Sequence, residues 1–262
     1  MIKVSDPKFK KDASLEVKLA QTIGDCPLGK PVHAFASVSS TMDMAHALAA
    51  EGAPEGTLIW AARQEKGRGR LGRTWVSPEG GVYLSLILRP KRPTTEISQL
   101  SLVAGLSVAQ AVQAVTSLMP SIRWPNDLLV NDRKLCGILV EAEQGSVLIG
   151  IGINVSTPIA ALPPEATSIL AAGLPCDAYL LTGEICRRLQ KWYAAWTSKG
   201  FAPVRVALRP WIGGFGGPVR ITAGATEMEG IATDLDDSGR LLVRLDSGIV
   251  RSFGMGEVTL LR

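Results

Sequence analysis

Residues 100–119 run for twenty positions without a charged side chain. A stretch of that length must be buried, either in a bilayer or in a protein core. Leu102, Leu106, Ala109, Val112 and Val115 recur at three- and four-residue spacing, with Ser101, Ser107, Gln110, Gln113, Thr116 and Ser117 scattered among them. The helical period and the polar content predict a largely buried helix over 97–118 of a soluble protein, not a membrane span. The 262 residues are 46% hydrophobic and 20% charged, as in a globular chain, with room for one large domain or two unequal ones. The N-terminal sequence MIKVSDPKFKKD is charged and lacks the apolar segment of a secretory signal. Cys26, Cys136, Cys176 and Cys186 form no CxxC pair and read as reduced thiols of a cytoplasmic protein. Only two histidines, His33 and His46, are present, which argues against a multi-histidine zinc centre. Both read as structural.

Strand-like runs fall at 33–38, 57–62, 82–88, 128–130, 135–143 and 146–155, and helical patterns at 15–23, 42–51 and within 176–199. Ser39, Ser40 and Thr41 offer N-cap side chains to the second of these helices. Asn131-Asp132 marks a turn. Beyond Trp211 the texture changes. A glycine-rich stretch at 213–217 is followed by short runs at 219–222, 230–234, 241–245, 250–253 and 258–261, parted by turns such as Asp237-Ser238-Gly239 and Asp246-Ser247-Gly248. Such spacing predicts a small β-barrel. The expected organisation is an extension over 1–32, an α+β domain over 33–210 and a barrel over 211–262.

The segment Gly67-Arg68-Gly69-Arg70-Leu71-Gly72-Arg73-Thr74-Trp75 matches G-x-G-x-x-G. A dinucleotide-binding turn would need a helix to begin at the third glycine, and Pro78 stands in its way. Three arginines between glycines suit an anion better, because guanidinium forks bind carboxylate and phosphate bidentately and a flexible glycine backbone wraps close and offers its N–H groups. Residues 61–75 hold five basic side chains against Glu65, a net charge of +4 equal to that of the whole chain. The positive charge is therefore concentrated rather than spread as on a nucleic-acid surface. A second region, Arg123-Trp124-Pro125-Asn126-Asp127, is followed by Lys134. Asn126 and Asp127 are oxygen donors suited to Mg²⁺, and Lys134 is a point charge suited to a carboxylate or a phosphate. Together the two regions make a site for two anions, such as a carboxylate and ATP.

At these residues the chain resembles the biotin protein ligase family. Over about 33–262 it carries, in the family's order, Ser40-Thr41 opening a helix, GRGRLGRTW at 67–75, RWPND at 123–127 and KLCGILVE at 134–141, supported by 150–155 and 166–168. The resemblance implies a mixed sheet with helices (a class II synthetase-like catalytic domain) and a C-terminal SH3-like barrel. It implies activation of biotin by ATP with Mg²⁺ to biotinyl-5′-AMP, then transfer to a lysine of a biotin carboxyl carrier domain of a biotin-dependent carboxylase. Lys134, Arg70 and Asp127 would be catalytic. Ser40, Thr41, Gln64, Gly67, Arg68, Gly69, Arg70, Lys134, Gly137, Gly150 and Gly152 would bind biotin, the last three glycines letting the backbone lie against it. Arg70, Arg73, Trp75, Arg123, Asn126, Asp127 and Asn154 would bind ATP, with Asp127 on Mg²⁺. Met42 and Arg123 stand where the family often has Asn and Lys. The segment before the match is too short for the helix-turn-helix of the family's repressor members, so no nucleic-acid partner and no membrane are expected. Sheet pairing into a homodimer occurs in the family. The rival readings are a lipoate or octanoyl ligase of the same superfamily and a non-catalytic biotin-sensing module.

Overall fold

The computed structural model describes residues 11–143, 145–223, 226–254 and 259–261. The uncharged stretch forms α3 (Leu100–Thr116), with thirteen of its seventeen residues buried. The turn before it, Thr94–Gln99, is a 3-10 helix, so the α-helix begins three residues later than its period predicts. Ser117 closes it in the left-handed region at φ 64°, where its N–H bonds the Gln113 carbonyl.

Seven strands form one sheet: β1 (Val32–Val38), β2 (Leu58–Gln64), β3 (Gly81–Leu88), β4 (Ser121–Arg123), β5 (Asp127–Val130), β6 (Arg133–Glu143) and β7 (Ser146–Asn154). Their order is β1-β2-β3-β7-β6-β5-β4. Only β1 and β2 run parallel, and the crossover between them is α2 (Thr41–Ala50). The β5–β6 hairpin turns at Asn131 and Asp132, with φ 48° and 59°, the left-handed pair that short polar side chains tolerate.

The two faces of the sheet are covered differently. Side chains alternate along a strand, so Leu58 and Trp60 of β2 join α3 in the larger core while Ile59 and Ala61 pack with α2. The larger core also holds α1 (Ala13–Ile23) and α4 (Ala178–Lys199). Asp12 caps α1 by accepting from the Ser14 and Leu15 amides, and Asp177 caps α4 in the same way.

A short helix, α5 (Ala202–Leu208), follows without a counterpart in the sequence reading. The C-terminal strands are β8 (Pro218–Ala223), β9 (Thr226–Leu235), β10 (Leu241–Leu245), β11 (Val250–Phe253) and β12 (Thr259–Leu261). They form a separate antiparallel sheet in the order β11-β10-β9-β8-β12. Residues 1–10 of the expected N-terminal extension and residue 258 of the expected last strand lie outside the described residues. The C-terminal sheet is tied to the first. The Trp124 indole N–H donates to the Gly239 carbonyl at 3.0 Å, and the Gly213 amide donates to Ile122 O at 3.0 Å.

Because α3 fills the interface between the sheet and α4, truncating its centre should be costly. Leu106→Ala should lower the unfolding free energy by about 2–5 kcal/mol in urea denaturation; a loss below about 0.5 kcal/mol would show that α3 is not the packing centre.

Candidate active site

β2 ends at Gln64, and the chain returns to the sheet at Gly81. Between them the glycine-arginine segment is a short hairpin rather than the pliant loop its glycines suggest. Trp75 N donates to Gly67 O at 2.9 Å and Gly69 N to Arg73 O at 2.7 Å. Arg68 and Thr74 form an antiparallel bridge. Leu71 and Gly72 make the reversal at φ 55° and 72°. A Cβ at Gly67 would come within 2.4 Å of the Trp75 carbonyl oxygen, so the base of the hairpin admits only glycine. The Gly69 N–H, expected to face an anion, is engaged inside the hairpin.

The hairpin sends its three arginines in different directions. Arg70 turns inward, and its Nη1 donates to Asn126 Oδ1 at 2.9 Å. Burial pulls its pKa down, Asp127 opposes that shift and Arg73 adds to it; as an arginine it stays a cation. Arg73 lines a cleft described below. Arg68 is held by carboxylates, with its Nε 3.2 Å from Asp43 Oδ1 and its Nη2 3.0 Å from Glu141 Oε2.

Two clefts adjoin beneath the hairpin. The first, of about 470 Å³, is lined by Ser40, Thr41, Gln64, Arg68, Gly69, Arg70, Lys134, Gly137, Gly150 and Gly152 among others. The second, of about 1120 Å³, is lined by Arg70, Arg73, Trp75, Arg123, Asn126, Asp127 and Asn154, with Leu162, Pro163 and Glu165 on a wall that the sequence reading did not assign. Of the residues expected to contact biotin, Gly67 alone lines neither cleft. Gly69, Arg70, Trp75, Asn126 and Lys134 line both and so mark the join.

At the join, Lys134 Nζ lies 2.7 Å from Asp127 Oδ1, and Arg123 Nη2 donates to Asp127 Oδ2 at 2.6 Å. The register sets this up, because Arg123 stands directly opposite Asp127 on β4 and β5. The Lys134 backbone is clamped by its amide to Glu165 O and by its carbonyl to the Thr167 amide, at 2.8 and 2.9 Å. Asn126 is fixed by Nδ2 donating to Ile138 O at 3.1 Å. Cys136, next to Gly137, is fully buried, and burial pushes its thiol far up, so it is inert here.

One expectation is corrected. Ser40 occupies the N-cap position of α2 but makes no capping bond. Gln64 Oε1 takes that role, accepting from the Thr41 amide at 2.8 Å and the Thr41 hydroxyl at 3.1 Å. The glycines of β6 and β7 line the first cleft as expected and also accommodate neighbouring side chains. A Cβ at Gly152 would lie 2.4 Å from Trp75 Nε1, and one at Gly137 3.0 Å from the same indole. At Gly150 it would meet Met42 Sδ at 2.8 Å. The glycines therefore make room for Trp75 and Met42, whose side chains share the cleft surface with them. Ser40 Oγ, Trp75 Nε1 and Asn154 Oδ1 are buried without a hydrogen-bond partner among the described residues. Buried polar atoms are nearly always paired, so three unpaired ones on the cleft walls are fitted to a polar ligand.

Residues 34–157 match the model of the biotin/lipoate A/B protein ligase family, and residues 214–261 that of the biotin protein ligase C-terminal domain. The bifunctional ligase/repressor BirA of Bacillus subtilis is 39% identical over 227 residues, covering 82% of this chain and 70% of that protein. The biotin–[acetyl-CoA-carboxylase] ligase of Paracoccus denitrificans is 34% identical over 203 residues, covering 72% of this chain and 85% of its own. Among solved structures, the biotin protein ligase from Aquifex aeolicus in complex with biotin and ATP superposes with a TM-score of 0.81 at 31% identity, over 89% of this chain and 99% of that one. The two sheets, the hairpin of arginines and these likenesses agree that this chain belongs to the biotin protein ligase family.

Proposed function

We propose that this protein is an ATP-dependent biotin protein ligase that condenses biotin with ATP across the join of the two clefts. The observation that carries the reading is the shared wall, where Arg70 and Lys134 face both clefts at once. A carboxylate in the first cleft and a triphosphate in the second repel one another. Two cations at their meeting point offset that repulsion and fix the reacting atoms, so catalysis here is positioning and charge stabilisation.

In the first step a biotin carboxylate oxygen attacks the α-phosphorus, the bond to the β-phosphate oxygen breaks, and pyrophosphate leaves with its electron pair. Lys134 would exchange Asp127 for the incoming carboxylate and α-phosphate. Arg70 would cover the mixed anhydride and exclude water. In the second step a lysine amine of a carrier domain attacks the acyl carbon, losing a proton, and AMP departs. The Ser40 hydroxyl and the Trp75 indole N–H are polar groups available to the biotin ring, and Asn154 Oδ1 is available to the nucleotide.

Magnesium has no protein cage here. Among the described residues no group of three or more His, Cys, Asp and Glu side chains could hold a metal. Both oxygens of Asp127 are engaged by cations. A magnesium ion would therefore come in on the triphosphate, with Asp127 and Asn126 as oxygen donors once Lys134 has turned to the substrate anions.

Incubation with ATP, a carrier domain, and biotin or lipoate tests the reading directly: biotin labels the carrier and lipoate does not. Labelling by lipoate in place of biotin would transfer the chain to the other branch of its superfamily. Lys134→Ala should lower biotin-dependent pyrophosphate exchange by about a hundredfold or more, and exchange at the wild-type rate would remove Lys134 from the first step. Arg70→Ala should form the adenylate but release it about tenfold faster, and release no faster than wild type would remove the covering role.

A further inference from the structure

A group of charged side chains on α2 and β6 meets the hairpin at Arg68, and the proposed reaction assigns no role to its His46, Asp43, Glu141 and Glu143. Asp43 and His46 stand three residues apart on α2, and Glu141 and Glu143 two apart on one face of β6. Arg68 bridges Asp43 and Glu141 at 3.2 and 3.0 Å. His46 Nε2 lies 2.6 Å from the same Glu141 oxygen, and its Nδ1 contacts Glu143. These side chains keep between a quarter and half of their exposure.

We infer that His46, Glu141 and Asp43 are positioning residues that clasp the hairpin shut through Arg68. The clasp ties Arg68 to α2 and β6. Arg70, two residues along the same hairpin, is thereby held against Asn126. Arg68 meets two carboxylates, Asp43 and Glu141, and Glu143 stands beside Glu141 on β6. His46 bridges Glu141 and Glu143 and so turns the shared Glu141 oxygen toward Arg68. Ion pairs this exposed are individually weak, which suits a fastening that must open for ligands to enter. Arg68 thereby fastens the hairpin in addition to lining the first cleft.

The link to catalysis rests on the ligase reading, but the clasp can be tested without it. Trypsin cuts after the basic residues at 66–73, so nicking of the full chain reports hairpin opening with no ligand present. His46→Ala should be nicked about threefold faster than wild type, the equivalent of one partly exposed ion pair. His46→Lys, which places an N–H donor between the two carboxylates again, should return the rate toward wild type. With biotin and ATP, His46→Ala should release adenylate faster by the same factor while pyrophosphate formation is unchanged. Should His46→Ala not fold, Glu141→Gln supplies the same comparison. Nicking of His46→Ala at the wild-type rate, or a His46→Lys variant as fast as His46→Ala, overturns the clasp. A wild-type protein that forms no adenylate overturns the ligase reading instead, and the nicking rates still decide the clasp.

Discussion

The carboxylate of Asp127, buried and shared between Lys134 and Arg123, is the interaction on which the site depends. It lets two cations stand close together where none of the three charged groups would be stable alone, since an unpaired charge out of water is costly. β4, β5 and β6 bring the three together by register: Arg123 opposes Asp127, and Asp127 opposes Gly137 near Lys134. With the carboxylate in place, Lys134 is poised at the join and can exchange one anion for another. The arrangement, with one carboxylate between two cations, keeps a net positive charge for the anions that condensation would bring together.

Around that pair the site is shaped by exclusion. Gly137 and Gly152 face each other on β6 and β7 and carry the Trp75 indole, which in turn borders both clefts. Gly150 does the same for Met42. A side chain at any of these glycines would displace an aromatic or thioether wall rather than merely fill space. The C-terminal sheet reaches the same region through Trp124, whose indole bonds Gly239, while Ser101 at the start of α3 holds the next carbonyl, Pro125 O, at 3.0 Å. The segment carrying Asn126 and Asp127 is thus fixed by α3, β6 and the second sheet together.

How much of this was legible in the sequence depended on range. The buried helix at 100–116, the Asn131-Asp132 turn and the short C-terminal strands are written in local periodicity and turn chemistry, and they appear within a few residues of their expected places. α5 was missed because it has seven residues, with Pro203 in its first turn, too few for a helical period to show. The cap of α2 was expected from Ser39, Ser40 or Thr41 because such residue types at a helix start usually cap. The actual acceptor is Gln64, 23 residues away, reachable only because β2 ends beside the start of α2. Likewise GRGRLGR announces anion chemistry but not the fate of each arginine. The destination of Arg68 needs Asp43 and Glu141, 73 residues from Glu141 along the chain, to converge in space. The signal that could have exposed it is the i,i+3 pair Asp43 and His46 facing the i,i+2 pair Glu141 and Glu143.

The most direct test of the central claim, that Lys134 and Arg70 join a carboxylate cleft to a triphosphate cleft, is native mass spectrometry of the intact protein. Incubated with biotin and ATP in the absence of any carrier, each chain should retain one added species with the mass of biotinyl-5′-AMP, with free pyrophosphate in solution. Biotin and ATP found bound together but uncondensed, or a retained adenylate formed with lipoate or octanoate and not with biotin, would contradict the account.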